Sequence, residues 1–401
     1  MKTDIKTDLH HPKVLIVGAG PAGLGVSLAL KQAGVYDQLV IDAREIGAAF
    51  RAWPQGMKLL SPSFYSNPFG LTDLNAIDPD TSPADYLKTQ HPEGAAYADY
   101  LSAIASQFEI PVSTGITVTD VRKEEDGFAV ETSAGTVRPQ YVVWAGGQFF
   151  SPRSQDFPGA SLALHNSQVT DWGALKGEVF TVIGGYESGV DAAINLVSRG
   201  KKVCLISSGA PWSSQDSDPS RALSPRTLDR LRDLLDDPDR ADSLELLSDT
   251  TVTRIHQEDG CWIIENADGE RMPSLTQPIL ANGFHSGLGM VERLFDEDAN
   301  GLPIFTEEGD ESTITPGLFY SGPSLVHRNS LFCFIYKFRA RFGVVALAIA
   351  ERLGIEDAYE RLAPYEDAGF MNTDLDCCTN CECAIEPDTS SAPTPDSFTN
   401  A

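Results

Sequence analysis

The sequence predicts an α/β protein in which one unit built on a parallel sheet is interrupted by a second unit of the same plan. Three observations carry this. A strand, glycine turn, helix and second strand run through residues 13–42 and recur through residues 179–206. The short apolar runs Val142 to Ala145 and Pro278 to Ala281 both open into small residues, Gly146-Gly147 and Asn282-Gly283. A last short strand at Leu318 to Ser321 precedes an apolar, helical stretch from about Leu331 to Leu353, which is expected to return the chain to the first unit.

Val14 to Val17 are apolar and short enough for a buried parallel strand. Gly18, Gly20 and Gly23 then stand at the G-x-G-x-x-G spacing that opens a helix. The first permits the tight turn, the second lets a diphosphate approach the backbone, and the third lets helix and strand pack closely. From Pro21 and Ala22 to Leu24, unpaired amides and the positive end of the helix dipole face that diphosphate. Leu24, Leu28 and Leu30 give the helix its apolar face, Gly34 supplies the stop, and Leu39 to Ile41 begin a strand that closes on Asp42. A carboxylate there accepts ribose hydroxyls and repels a 2′-phosphate, which suits FAD or NAD and excludes NADP.

The stretch from Arg44 to Gly70 is rich in Pro, Gly and aromatics and is expected to pack on the cofactor or substrate side. Tyr97 to Phe108 has helical spacing. Thr117 to Val121, Phe128 to Thr132 and Thr136 to Val137 suggest a small antiparallel sheet, and Tyr141 to Ala145 a buried strand. In the second unit Val179 to Ile183 is a strand, Val190 to Ser198 a helix with Gly200 beyond it, and Lys202 to Ile206 a strand. The turn between them reads Gly184-Gly185-Tyr186-Glu187-Ser188-Gly189. Its outer glycines are in place, but Tyr186 occupies the middle position and crowds a diphosphate unless the turn shifts so that Gly185 makes the close approach. Ser207 and Ser208 leave the ribose position without an acid, which favours NADPH and leaves NADH possible. Ser213 to Arg221 is a polar loop, and Ser224-Pro225 caps a helix from Thr227 to Leu235.

The division expected is residues 1–155 for a first FAD-binding part, 156–285 for NAD(P)H binding, 286–372 for the second FAD-binding part, and 373–401 for a disordered tail. Two such Rossmann-like units, one nested in the other, suggest hydride passing from a nicotinamide to a flavin. The formal charge of −27 over 401 residues disfavours nucleic acid and anionic membranes as partners and leaves a small-molecule substrate. The sequence carries no signal for an oligomeric state. The N-terminus lacks the apolar core of a signal peptide, so a cytoplasmic location is expected. Cys204, Cys261 and Cys333 are expected in the core. Cys377, Cys378, Cys381 and Cys383 crowd into the polar tail, where they suit a dithiol shuttle through Cys378 and Cys381, a clamp for a soft metal ion, or an incidental exposed cluster prone to oxidation.

With these residues in view, the chain resembles the two-dinucleotide-binding flavoproteins, over residues 12 to about 365. That group includes flavin-containing monooxygenases, Baeyer-Villiger monooxygenases and thioredoxin reductase-like enzymes. It is more similar to the monooxygenase branch. Phe157-Pro158-Gly159, His165 and Asp171-Trp172 resemble that branch's linker of a glycine, a histidine and an aromatic, with Leu162 and Ala163 near the place of its phenylalanine-glycine pair. The second turn ends Ser188-Gly189, as that branch's does. Thioredoxin reductases instead carry C-x-x-C in the nucleotide domain and Gly-Asp in the late FAD strand, where this chain has no such pair and Gly322-Pro323.

Gly146 stands at a small-residue exit where a strand meets a ligand or crosses between domains, and Gly322 is expected to bind cofactor as well; Phe50, Arg51 and Trp53 lie where relatives wrap the isoalloxazine, or else are ordinary core residues. His165 is either a linker residue making a structural hydrogen bond or a residue that couples the domains. Lys337, Arg339 and Arg341 either place positive charge near the flavin pyrimidine or form surface ion pairs. The leading expectation is an FAD- and NADPH-dependent monooxygenase-like enzyme. Its alternatives are a thiol, disulfide or metal reductase using Cys378 and Cys381, and a flavin-binding redox sensor without turnover.

Overall fold

In the computed structural model of the protein the described residues are 11–65, 71–216, 218–328 and 330–375. The tail cysteines, Cys377 to Cys383, lie outside them. The described residues group into two compact units, the first drawn from 11–51, 61–148 and 286–375, the second from 52–60 and 149–285. Among the described residues no helix is long and apolar enough to cross a membrane.

The first unit opens with β1 (Val14–Val17), whose four residues are all buried, then α1 (Pro21–Gln32) and β2 (Gln38–Asp42). Pro21 sits in the first turn of α1, where its missing N–H costs nothing. Beyond α1, Gly34 takes a φ of +94°, and Val35 N–H reaches back to the Leu30 carbonyl to close the end. Short α2 (Ala48–Arg51) and α3 (Pro83–Leu87) lead to α4 (Gly94–Gln107) and β3 (Val112–Thr114). A three-stranded antiparallel sheet of β4 (Val118–Glu124), β5 (Gly127–Thr132) and β6 (Gly135–Val137) follows, then β7 (Tyr141–Trp144).

The second unit repeats this plan. Its strand β8 (Leu164–His165) precedes β9 (Val179–Ile183), α5 (Glu187–Val197) and β10 (Lys202–Ile206). Helix α6 (Pro225–Leu235) is capped by Ser224, whose side chain accepts from Thr227 N–H. Then come β11 (Leu244–Leu247), a second antiparallel trio of β12 (Val252–Glu258), β13 (Cys261–Asn266) and β14 (Arg271–Ser274), and β15 (Ile279–Leu280). The parallel sheet runs β11-β10-β9-β15-β8.

Back in the first unit, β16 (Asp296–Glu297) pairs with β17 (Pro303–Ile304), and β18 (Leu318–Tyr320) joins β7 to complete a parallel sheet of order β18-β7-β1-β2-β3. The expected helix from about Leu331 is shorter and broken. α7 (Ile335–Phe338) passes through a tight turn at 339–341 into α8 (Phe342–Arg352), and α9 (Ala358–Asp367) follows. α8 lies so close on α1 that a side chain at Gly25 would enter the Phe342 ring.

The break in that helix turns two arginines inward, which corrects the expectation of surface ion pairs for them. Arg339 is buried with its guanidinium donating to the carbonyls of Asp73 and Ala76, and it lies over the Phe370 ring. Burial pushes its pKa down to about 10. Arg341 and Asp310 have side chains 1% and 0% exposed, joined at 2.8 Å, and His327 Nε2 lies 2.7 Å from the same carboxylate. Arg341 also donates to the Asn372 carbonyl at 2.7 Å. These contacts hold residues 307–310, the segment around His327, the helix junction and residue 372 together. Asp310 has a φ of +56°, which asparagine also tolerates. Asp310→Asn therefore removes the charge without straining the backbone, and it should lower stability by about 3–5 kcal/mol by stranding a buried cation. Denaturant unfolding followed by circular dichroism measures this. A loss below about 1 kcal/mol would mean that carbonyl partners alone satisfy Arg341.

Candidate functional site

In the first unit the strand-to-helix turn is forced by contacts among backbone atoms. Gly18 has a φ of +114°, and a Cβ there would overlap the Ala145 carbonyl. A Cβ at Gly23 would overlap the carbonyl of Gly18 itself. Gly20 differs from both. It caps α1 in extended conformation, φ −87° and ψ −173°, and a Cβ built on it meets nothing within 4 Å. The amides of Ala22 and Gly23 that follow have no intrahelical acceptors and face that side, Pro21 having no N–H and Leu24 N–H bonding the Gly20 carbonyl at 3.0 Å. The residues present suit a diphosphate: among the described residues no atom beyond the turn itself lies within 4 Å of that Cβ position, and the donors bordering it favour an anion.

The register places Asp42 level with Gly18, because Val17 pairs with Ile41. Its carboxylate accepts Ala19 N–H at 2.8 Å and Arg44 N–H at 2.7 Å, one on each oxygen. Each oxygen keeps a further lone pair, which can accept ribose hydroxyls. Val17 pairs also with Trp144, and Trp144 with Tyr320, so Gly146 and Gly322 follow at the same carboxyl end of the sheet. Gly146 is exposed, while Gly322, at φ +148°, is buried beside the Tyr320 hydroxyl. Arg51 is ion-paired to Asp99 at 2.8 Å and Glu45 at 3.3 Å, and Phe50 packs edge-on against Tyr97.

The second unit reproduces the turn atom for atom in its backbone. Gly184 has a φ of +111°, and its N–H bonds the Ile206 carbonyl at 2.8 Å, as Gly18 N–H bonds Ile41. A Cβ at Gly184 would overlap the Ala281 carbonyl, and one at Gly189 the carbonyl of Gly184. Tyr186 caps α5 with φ −85° and ψ −165°, within a few degrees of Gly20. The turn is therefore not shifted toward Gly185. That residue is buried, and its missing side chain would collide with Ser207 and touch Trp212. Ser207 stands at the Asp42 position, since Ile183 pairs with Ile206, and it is buried while Ser208 is exposed.

Glu187 offers a phosphate its amide only, because its carboxyl is engaged by Ser224 N–H and the Thr227 hydroxyl at the head of α6. Burial raises its pKa against those hydrogen bonds. One helical turn on, buried Asp191 pairs with Arg230 of α6 at 2.6 Å and receives Asn195 Nδ2 at 3.0 Å. The Asp191–Arg230 pair was not anticipated from sequence. A signal existed in the i, i+4 spacing of Arg226 and Arg230, but nothing in it pointed to the acid. Burial outweighs Arg230 in setting the Asp191 pKa, which is raised.

His165 is buried at the edge strand, with Nε2 3.0 Å from the Gly283 carbonyl and Nδ1 2.8 Å from the Ser167 hydroxyl. Burial holds its pKa below the ordinary value. The three cysteines expected in the core are not there. Cys204 and Cys261 are half-buried and Cys333 is exposed, because Cys333 falls in the loop before α7. Burial and the neighbouring Glu245 push the Cys204 thiol up to about 11, which makes it a poor nucleophile. Among the described residues no cluster of His, Cys, Asp and Glu is placed to hold a metal ion, and the four candidate tail ligands lie outside them.

The sequence and the fold have relatives among known proteins. Bacilliredoxin reductase Bdr of Bacillus subtilis is 25% identical over 343 residues, covering 85% of this chain and 98% of that protein. The bacillithiol disulfide reductase structure from Staphylococcus aureus superposes with a TM-score of 0.67 at 19% identity, over 85% of this chain and 98% of that one. A flavin-containing monooxygenase structure from Stenotrophomonas maltophilia gives a TM-score of 0.63 at 16% identity, over 85% and 99%. These two likenesses show the shared fold. The family model for pyridine nucleotide-disulphide oxidoreductases matches residues 15–322, and the chain belongs to that family of FAD- and NAD(P)H-dependent oxidoreductases.

Proposed function

We propose that this protein is an NADPH-dependent disulfide reductase, with FAD held by the first unit and NADPH by the second. The net reaction is NADPH + H⁺ + RSSR → NADP⁺ + 2 RSH. What carries the reading is the nearly end-to-end match to bacilliredoxin reductase, which spans both units in one alignment. The likeness to monooxygenases is one of fold at low identity, so the reductase reading replaces the monooxygenase expected from the linker residues. The flavin, when bound, supplies the two-electron redox chemistry.

The chain's own residues supply binding and orientation. Gly18, Gly20, Pro21, Ala22 and Gly23 seat the FAD diphosphate on the α1 amides, and Asp42 accepts its ribose hydroxyls. Gly146 and Gly322 let the rest of the cofactor approach the strand ends. In the second unit Gly184 makes the tight turn and the amides of Glu187, Ser188 and Gly189 face the NADPH diphosphate, with Ser208 exposed near the ribose. Cys204, Cys261 and Cys333 are not spaced as C-x-x-C, so we assign the dithiol to Cys378 and Cys381 in the tail.

Three expected outcomes test this. The purified protein should carry one FAD, and Gly20→Val should lose it while keeping its circular dichroism, since a side chain there meets no protein atom. A folded variant with full flavin would refute the site. Under anaerobic conditions NADPH should reduce the flavin faster than NADH, and Ser207→Asp should reverse that order, because the equivalent Asp42 shows that the fold accepts a carboxylate there. Faster reduction of the unaltered protein by NADH would contradict the assignment. Finally, dithionite titration should consume four electrons per chain, two for FAD and two for the dithiol. The double variant Cys378→Ser, Cys381→Ser should take only two and lose NADPH-dependent disulfide reduction while its flavin still bleaches. Two-electron uptake by the unaltered protein, with oxygen-dependent NADPH consumption intact after truncation at Asp376, would restore the monooxygenase reading.

A further inference from the structure

The two turns have one backbone and differ at the residue that faces the ligand. Gly20 and Tyr186 both cap their helices in the same extended conformation, so a Cβ leaves both positions in the same direction. In the first unit that direction is open for at least 4 Å. In the second it is taken by a phenol ring that is 46% exposed. Among the described residues the Tyr186 side chain makes no hydrogen bond, ion pair or ring contact. Gly185 offers no substitute, because its free face abuts Ser207 and Trp212.

We infer that Tyr186 sets the affinity of the second site, standing off the nucleotide diphosphate from the α5 amides so that NADPH and NADP⁺ exchange while FAD stays bound. This rests on the reading that the second unit holds NADPH. A diphosphate seated at Gly20 reaches the backbone amides directly, and those charge-assisted hydrogen bonds are the strongest contacts such a turn offers. The same seat at Tyr186 is blocked by the side chain, so the second nucleotide is held at longer range, mainly through its other parts. An enzyme that must release NADP⁺ in every turnover gains from this, whereas a resident cofactor does not. The obstruction is one of volume, and the hydroxyl is incidental to it.

The test is calorimetric titration of NADP⁺ into the flavin-loaded protein and its variants. Glycine is an acceptable N-cap at this φ, and flavin content reports whether the variant has folded. Tyr186→Gly should bind NADP⁺ about tenfold more tightly, the gain expected from one recovered charge-assisted hydrogen bond. Tyr186→Phe should bind as the unaltered protein does. In steady state Tyr186→Gly should lower KM for NADPH and, where product release limits turnover, kcat with it. Equal or weaker binding by the glycine variant, with the unaltered protein binding normally, would overturn the inference alone. A loss confined to Tyr186→Phe would do so as well, by showing that the hydroxyl is an attractive contact. Failure of every protein to bind NADP⁺ would overturn the nucleotide reading of the unit, and the inference with it.

Discussion

A single steric constraint underlies both halves of this molecule. The carbonyl of the first turn glycine, Gly18 or Gly184, occupies the place where the third glycine, Gly23 or Gly189, would carry a side chain. The helix can begin only if both residues lack a Cβ. When it does begin, its amino end is set directly over the carboxyl ends of the strands. The neighbouring strand closes the arrangement from the other side through Ala145 or Ala281. Sheet order, the row of strand ends and the orientation of the helix amides all follow from that contact, which involves backbone atoms and so tolerates wide variation around it.

Within that fixed frame the two units differ in chemistry at three equivalent positions. Gly20 against Tyr186 separates an open phosphate seat from a filled one. Gly25 against Asp191 separates two ways of covering the helix: the Phe342 ring fills the place of a side chain at the glycine in the first unit, whereas Arg230 reaches the acid in the second. Asp42 against Ser207 separates a carboxylate that holds the turn amides from a small residue tucked beneath Gly185. At the Gly25 and Asp191 position the helix is thus covered by apolar contact in the first unit and by buried polar groups in the second, which are costly unless every partner is present.

The parts legible in the sequence were those where residue type is dictated by geometry. Both glycine turns, the strand ends and the cap of α6 stood close to where they were expected, since Gly18 and Gly184 take a positive φ, Gly23 and Gly189 leave no room for a Cβ, and Ser-Pro is a favoured helix start. The antiparallel trio at residues 252–274 went unseen because it faces solvent widely and fully buries few apolar side chains, such as Ile255 and Ile264. Arg339 and Arg341 read equally as charges near a flavin or as surface ion pairs, because nothing local announced the carbonyls and the carboxylate that satisfy them, which come from residues 72–76 and 307–310. At the second site the presence of Tyr186 was plain, but which of two glycines made the close approach required knowing what lies behind Gly185.

The origin of the fifth sheet strand sets the order in which the chain is able to assemble. In the second unit the edge strand β8 comes before the others in sequence, so its sheet is complete once residue 280 has been made. In the first unit the corresponding edge, β18, is made only at residues 318–320, and α8, which covers α1, later still. On a ribosome the unit that starts first is therefore finished last. It holds an exposed strand edge and an uncovered helix through the whole synthesis of its partner, the interval in which a nascent chain is most open to mispairing.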